Sequence, residues 1–564
     1  MKSRSVQFSM KAAHLRKTIA QCALTTVLIS SLPVGSKSAG AQTVMTQSAG
    51  SLDTSFGNSG KVVTDFGGQI AEAYSIALQP DGKFIVAGHN TNNGGSAFAL
   101  ARYNSDGSLD SSFGAAGKVT TVFPQGESEI LAMVLQQDGK IVAAGDVGVS
   151  ANHGAMAVAR YNADGTLDSG FGSSGEVTVD FGTGIHTAYA VAIQTDGSII
   201  IAGTALLIFP DLGSSQFGLA RLSPNGTLDL SFGNGGMATG PSISPVNGFR
   251  GFTIQPDGKL VGSGYSGATR SSAHWAVVRY NPNGTLDAGF GVGGVLTTDS
   301  FGPGATARGP LALGDGKLVV TGTSLTTPIN YNFALARYNV DGTLDPTFGI
   351  GGVVTTSFPG GVAAGIGAEL QADGRILLTG SFRSSPSDSN TSDFALARYN
   401  PDGSLDQGFG TGGLVTTDFN GLFDEAWAVA VQPDGNILVA GEAQKTPGPN
   451  PTIYFALVRY SGGSALFSLA PAAATVTGNR GTKVKVTISI NRSVGFTGSV
   501  TITPPDSAQG IKFKPPDPVA TTDSSVAFKL KISGSAPTGL QQLTFIGRSD
   551  DGQVSTARLT LNIQ

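Results

Sequence analysis

The stretch Phe98-Ala-Leu-Ala-Arg-Tyr-Asn-Ser-Asp-Gly-Ser-Leu-Asp-Ser-Ser-Phe-Gly114 decides the fold, because the chain writes it repeatedly. Its last six residues, Leu-Asp-x-x-Phe-Gly, begin at Leu52, Leu109, Leu167, Leu228, Leu286, Leu344 and Leu405, at steps of 57, 58, 61, 58, 58 and 61 residues. A near-constant period marks a repeat architecture, in which one supersecondary unit gains a core only by stacking on copies of itself. Each copy holds four short runs, which in the first copy are Lys61 to Phe66, Ala73 to Gln79, Lys83 to Gly88 and Phe98 to Tyr103. All are enriched in β-branched or aromatic residues and bounded by Gly, Pro, Asp or Asn, so each reads as a strand. Pro80-Asp81-Gly82 joins the second run to the third, and its Asp-Gly pair recurs at Asp138, Asp196, Asp257, Asp315, Asp373 and Asp434. Asp-Gly between apolar runs is a hairpin signal, since Gly accepts the positive φ of a tight turn. Four strands per copy, seven copies and no helical periodicity predict an all-β chain built on a seven-bladed β-propeller.

The copies Phe98 to Gly114 and Phe394 to Gly410, each followed by a Gln-x-Asp-Gly hairpin, resemble the bacterial delta-60 repeat family, a β-propeller module. The resemblance covers residues 52 to about 461 and all seven copies; copy four departs at Thr239-Gly-Pro-Ser and copy three at Arg221-Leu-Ser. It implies the fold and carries no activity with it. The strand Lys61 to Phe66 precedes the first hairpin and has no blade of its own, so it is expected to pair with Tyr454 to Tyr460 and close the last one, removing exposed edges. The loops on one face vary most, from nine residues between Gly88 and Phe98 to 13 between Gly203 and Phe217. Variable loops on a rigid scaffold are where binding is expected.

The N-terminus carries Lys2, Arg4, Lys11, Arg16 and Lys17, then an apolar stretch from Ile19 to Val34, then Ala39-Gly-Ala41. This pattern predicts a secretory signal peptide over residues 1–41, followed by a short linker, 42–51. The single cysteine, Cys22, lies inside the leader, so the exported chain is expected to have neither disulfide nor lipid anchor. No other segment approaches the ~18 apolar residues of a spanning helix. Removing six cations and no acid takes the net charge from −4 to −10; residues 465–564 hold ten Lys or Arg against five Asp or Glu, which leaves −15 for the propeller. So acidic a main domain argues against nucleic acid as a partner. After a linker at 462–468, residues 469–564 alternate apolar and polar positions in short runs, the expectation for an immunoglobulin-like β-sandwich without a disulfide. Its lysines come in pairs spaced by two, Lys483 with Lys485, Lys512 with Lys514, and Lys529 with Lys531. Each pair projects from one face of its strand. The plain reading is a solvated face and the sharper one a docking surface for anionic glycans or for the acidic propeller.

Motifs for chemistry are sparse. His89, His153, His186 and His274 fall in different copies without metal-ligand spacing, and no H-E-x-x-H, C-x-x-C or G-x-S-x-G is present. The Arg of each Arg-Tyr and the Asp of each Leu-Asp recur in every copy, which is what a scaffold needs and a single active site does not. They are expected to fix turns and tie copies together, with the motif phenylalanines as core wedges. Aligning the copies on the glutamine that ends the inner strand leaves Glu72, Glu129 and Glu425, with Asp424 beside the last, on one arc of the channel rim. Such an arc would be a solvated acidic rim or, with calcium as its cation, an oxygen-ligand site. The expectation is therefore a secreted or envelope-associated, monomeric bacterial protein, a non-catalytic scaffold binding an extracellular protein or glycan through its variable face, with no cofactor. The second reading is a calcium-dependent, lactonase-like propeller hydrolase, and the third a structural surface-layer component.

Overall fold

A computed structural model describes residues 48–564 apart from 93–94, 151–152, 183, 206–214, 241–243, 328–329, 386–390, 449, 464–466, 493–498, 506–509 and 550–553. The signal-peptide expectation and most of the long loop after Gly203 lie outside the described residues. Among these residues the chain is all β, with a single 3₁₀ turn at Arg270–Ser272 and no α-helix; no helix is long and apolar enough to cross a membrane.

The first strand, β1 (Lys61–Thr64), leads into β2 (Ile70–Leu78), β3 (Phe84–Asn92), β4 (Gly95–Tyr103) and β5 (Lys118–Thr121). Strands β2 to β5 form an antiparallel four-stranded sheet in chain order, and the pattern returns through five separate four-stranded sheets as far as Leu414–Thr417. Asp424–Val431, Ile437–Gln444 and Ile453–Tyr460 supply three strands of a further sheet whose fourth is β1, with Lys61 opposite Val458 and Thr64 opposite Phe455. The chain's first strand thus completes its last sheet, as the run without a sheet of its own required. The architecture is β-propeller-like.

Between successive sheets lie apolar layers. Ile85, Leu100 and Phe113 pack against Ile130 and Ile141 of the next sheet. The series returns to its start, because Phe84 and Val86 share a layer with Leu438, Phe455 and Leu457 from the last sheet. The motif phenylalanines Phe56, Phe113, Phe171, Phe232, Phe290, Phe348 and Phe409 are all fully buried in these layers. Beside each wedge sits a polar clamp. Arg102 Nε donates to Asp110 Oδ2 at 2.8 Å, Lys83 Nζ donates to the same oxygen at 2.7 Å, and the guanidinium lies 4.7 Å over the Phe113 ring. Its NH1 donates to the carbonyl of Ala163, in a turn of the following copy. At the seam, Arg459 Nε donates to Asp53 Oδ2 at 2.8 Å and NH1 donates to the carbonyl of Ser105, so the same clamp ties the end of the chain to its beginning.

The C-terminal residues form two sheets. One runs Phe467–Pro471, Lys483–Arg492, Ser525–Ile532, Ile511–Lys514; the other runs Thr475–Gly478, Val554–Ile563, Gly539–Ser549, Val500–Thr503, Val519–Thr521. Alternation such as exposed-buried along Ser525–Ile532 places Phe528, Leu530 and Ile532 in a core with Phe545, Leu559 and Leu561 of the other sheet. The first of these strands is Phe467–Pro471.

Candidate functional site

Every inner strand has a β-bulge at one position. The pairing register breaks between Ala73 and Ser75, Ile130 and Ala132, Ala188 and Ala190, Phe249 and Gly251, Ala307 and Pro310, Gly365 and Gly367, and Ala426 and Ala428. A bulge inserts an unpaired residue and re-aims its side chain. The re-aimed residues are Tyr74, Leu131, Tyr189, Arg250, Arg308 with Gly309, Ile366 and Trp427. Five of them converge: the Tyr74 and Trp427 rings meet edge-on at 4.9 Å, and the Arg250 guanidinium lies 4.1 Å over Tyr189. Arg308 reaches to 5.7 Å over Trp427 past the intervening sheet, which places these side chains around a shared central space.

One step nearer the variable loops, each inner strand opposes the residue after the Ala-Gly, Ser-Gly or Thr-Gly doublet of the next strand. The pairs include Glu72 with His89, Glu129 with Asp146, Gly248 with Tyr265, and Glu425 with Glu442. One arc of this tier is therefore acidic. Burial, then the charges of Asp146 and Glu72, pushes the Glu129 carboxyl up to about 8. Burial pushes Asp146 up to about 6 against a 3.1 Å hydrogen bond from Thr187 Oγ1. Glu442, 4% exposed, is held well above the usual carboxylate range by burial, then by Glu72 and Glu425. Burial also raises Glu425, an effect opposed by the Ser381 hydroxyl and by Arg308. The Tyr74 hydroxyl donates to Glu72, the Trp427 indole N–H donates to Glu442 at 3.4 Å, and His89, pushed down by burial, stands 3.7 Å from Glu129. The other arc is cationic. Arg250 and Arg270 flank Tyr265 at 5.1 and 4.2 Å, and burial beside Arg250 lowers Arg308 to about 10. Carboxyls, guanidiniums and aromatic faces lining one central space suit hydrogen bonding and ion pairing with a polar ligand.

Glu72, Glu129 and Glu425 hold the same position in their inner strands, two residues before the bulge. Among the described residues, however, they do not bring three oxygens within 4.8 Å of one another. Asp424 requires a correction, since it does not face the rim. Neighbours on a strand point to opposite faces, and Asp424, fully buried, accepts from Phe419 N at 2.8 Å beside Asp418 and Asp393. The bulge residues and the doublet-following positions Asp146, Tyr265 and Glu442 escaped the sequence reading. Their signal was the lack of repetition: they differ among copies where their neighbours repeat.

The six lysines of the sandwich come together on one sheet. Lys531 stands opposite both Lys483 and Lys512, and Lys529 opposite both Lys485 and Lys514, giving two rungs of three, all exposed. The intervening Leu530 and Phe513 point into the core. Like charges set directly opposite oppose folding, and among the described residues none of the six forms an ion pair with a carboxylate.

Six segments, residues 79–113, 136–171, 194–232, 255–290, 313–348 and 371–409, match the model of a family described as a domain of unknown function (DUF5122) beta-propeller. Each runs from the residue that follows an inner strand, a glutamine in five segments and Leu313 in the sixth, to the phenylalanine of the following Leu-Asp-x-x-Phe motif. No curated protein matches the chain.

Proposed function

We propose that this chain is an exported, non-catalytic binding scaffold whose ligand is an anionic glycan. A closed ring of seven blades would present it, together with an immunoglobulin-like sandwich. The seam supports a seventh blade: Asp53 N donates to Arg459 O at 2.9 Å as Asp110 N does to Arg102 O, which is what Leu52 to Gly57 would do as the end of the copy that begins at Gln432. That copy has no motif of its own downstream, which accounts for six matched segments. The pattern of basic residues, apolar stretch and Ala39-Gly-Ala41 supports export.

The observation that carries the ligand class is the double rung of lysines. A sheet face that gathers six ammonium groups, none of them ion-paired to a carboxylate among the described residues, has a repulsion that a polyanion lying across the strands would relieve. Within a rung the strands that carry neighbouring lysines stand about 4.8 Å apart, a spacing at which neighbouring charges of an acidic polysaccharide can be met together. The test is retention on immobilised polygalacturonate and heparin as a function of salt. Lys529→Glu/Lys531→Glu, which reverses the central strand shared by both rungs, is expected to lower the eluting salt concentration severalfold. Exposed attractions are screened within about 10 Å at 0.1 M salt, so wild-type retention should vanish at high salt. Equal elution of wild type and variant would refute the reading.

A further inference from the structure

At the junction between the sixth four-stranded sheet and the last, three carboxylates from three elements meet. Asp393 opens the strand Asp393–Tyr399, Asp418 follows Leu414–Thr417, and Asp424 opens Asp424–Val431. One oxygen of each lies within 4.8 Å of the others. The group is graded from inside to outside: Asp424 is fully buried, Asp393 half-buried and Asp418 exposed. Asp424 Oδ2 takes the Phe419 N–H at 2.8 Å, while its Oδ1 is buried without any hydrogen-bond partner. A buried carboxylate oxygen left so incurs its full desolvation cost unless something fills its lone pairs.

Two other junctions place a histidine in this group. In copy three the position of Asp424 is His186, whose Nε2 is 3.4 Å from Asp180, the equivalent of Asp418. In copy four the position of Asp393 is His274, whose Nδ1 is 3.2 Å from Asp299. Where those copies set an imidazole against the aspartate, this junction sets two further carboxylates. The neighbouring cation is Lys61, whose Nζ donates to the Asp418 main-chain carbonyl at 2.5 Å. One ammonium against three carboxylates leaves two negative charges.

We propose that Asp393, Asp418 and Asp424 bind a calcium ion. Three oxygens within 4.8 Å of one another need only small side-chain adjustments to meet one ion at about 2.3–2.6 Å, and the exposed side at Asp418 leaves room for water ligands. An all-carboxylate set selects a hard cation. Magnesium, which keeps most of its waters and takes one or two carboxylates, suits three converging carboxylates less well. The ion would link the outer strand of one sheet to the inner strand of the next, close to where Lys61 of the closing strand arrives.

The test is calorimetric titration and thermal unfolding of the full exported chain after treatment with EDTA, with calcium chloride and, in parallel, magnesium chloride. One equivalent of calcium should bind and raise the midpoint by about 5 °C at a hundredfold excess over Kd. Asp418→Asn, at an exposed position, should weaken calcium at least tenfold. Asp424→Asn should abolish the response and, without calcium, unfold no lower than wild type. Asn247 already occupies that position in copy four, its Nδ2 donating to the Ser215 carbonyl at 3.1 Å. Absence of calcium binding, a response to magnesium alone, or a calcium response that survives in both variants would overturn the assignment. Polyanion retention reads a different surface and is expected to be unchanged in both.

Discussion

The doublet glycines follow from the bulges. A Cβ built on Gly88, Gly145, Gly203, Gly264, Gly380 or Gly441 would stand 1.8–1.9 Å from the carbonyl oxygen of the residue that precedes the bulge by two positions on the facing strand. No rotamer change relieves contact with a backbone atom. Gly203→Ala is therefore expected to lose about 3 kcal/mol, read as a lower urea midpoint at unchanged m. Gly314→Ala, where a Cβ meets nothing within 4 Å, should be within about 0.5 kcal/mol of wild type. Equal midpoints for the two variants would mean that the close approach does not limit stability. The need for glycine was visible as sevenfold repetition, but its cause was not, because a bulge breaks the period of two on which strand reading depends. For the same reason Arg308 and Trp427 looked like ordinary strand positions.

At the scale of elements, strands bring together groups whose ionisation opposes folding. Glu129, Asp146 and Glu369 are raised to about 8, 6 and 7, chiefly by burial on or beside the inner strands. A carboxyl with a folded pKa above its unfolded value binds more protons when folded, so its contribution is complete below about pH 4.5 and is lost as pH rises through the folded pKa. The clamp aspartates run the other way: Asp168, lowered to about 2 first by the Lys140 hydrogen bond, contributes above about pH 4 and loses that contribution on acidification. Thermal unfolding across pH should peak roughly between pH 4 and 6 and decline toward pH 8. Glu129→Gln should flatten the alkaline decline and leave the acid limb unchanged; a decline of undiminished steepness would remove Glu129 as its cause. Lysine spacing showed that each pair shares a face, whereas the two rungs depend on strand register. Order along the sheet and register are set by pairing between segments up to tens of residues apart, such as Lys485 with Lys529, and no local pattern states them.

For the molecule as a whole, the seam decides integrity. Residues 52–64 supply the last sheet's fourth strand, the Phe56 wedge and Asp53 for Arg459. Deleting them should expose a strand edge along Ile453–Tyr460 and an opened apolar layer, giving a chain that aggregates on heating. Phe113→Ala, which leaves the first strand paired with the last sheet, should lose about 3–5 kcal/mol yet remain monodisperse. Light scattering during a thermal ramp distinguishes the two, and identical behaviour would argue that closure is dispensable. The sequence by itself determined the repeat, its four strands, the turns, the wedges and the strand that closes the last sheet, because each is written locally and copied seven times. Tertiary structure alone decided which unrepeated side chains share the central space, that Asp424 turns away from Glu425 toward Asp393 and Asp418, and that six lysines form two rungs. Those outcomes rest on bulges, strand register and the meeting of distant copies, which are properties of how segments pair and not of any one segment.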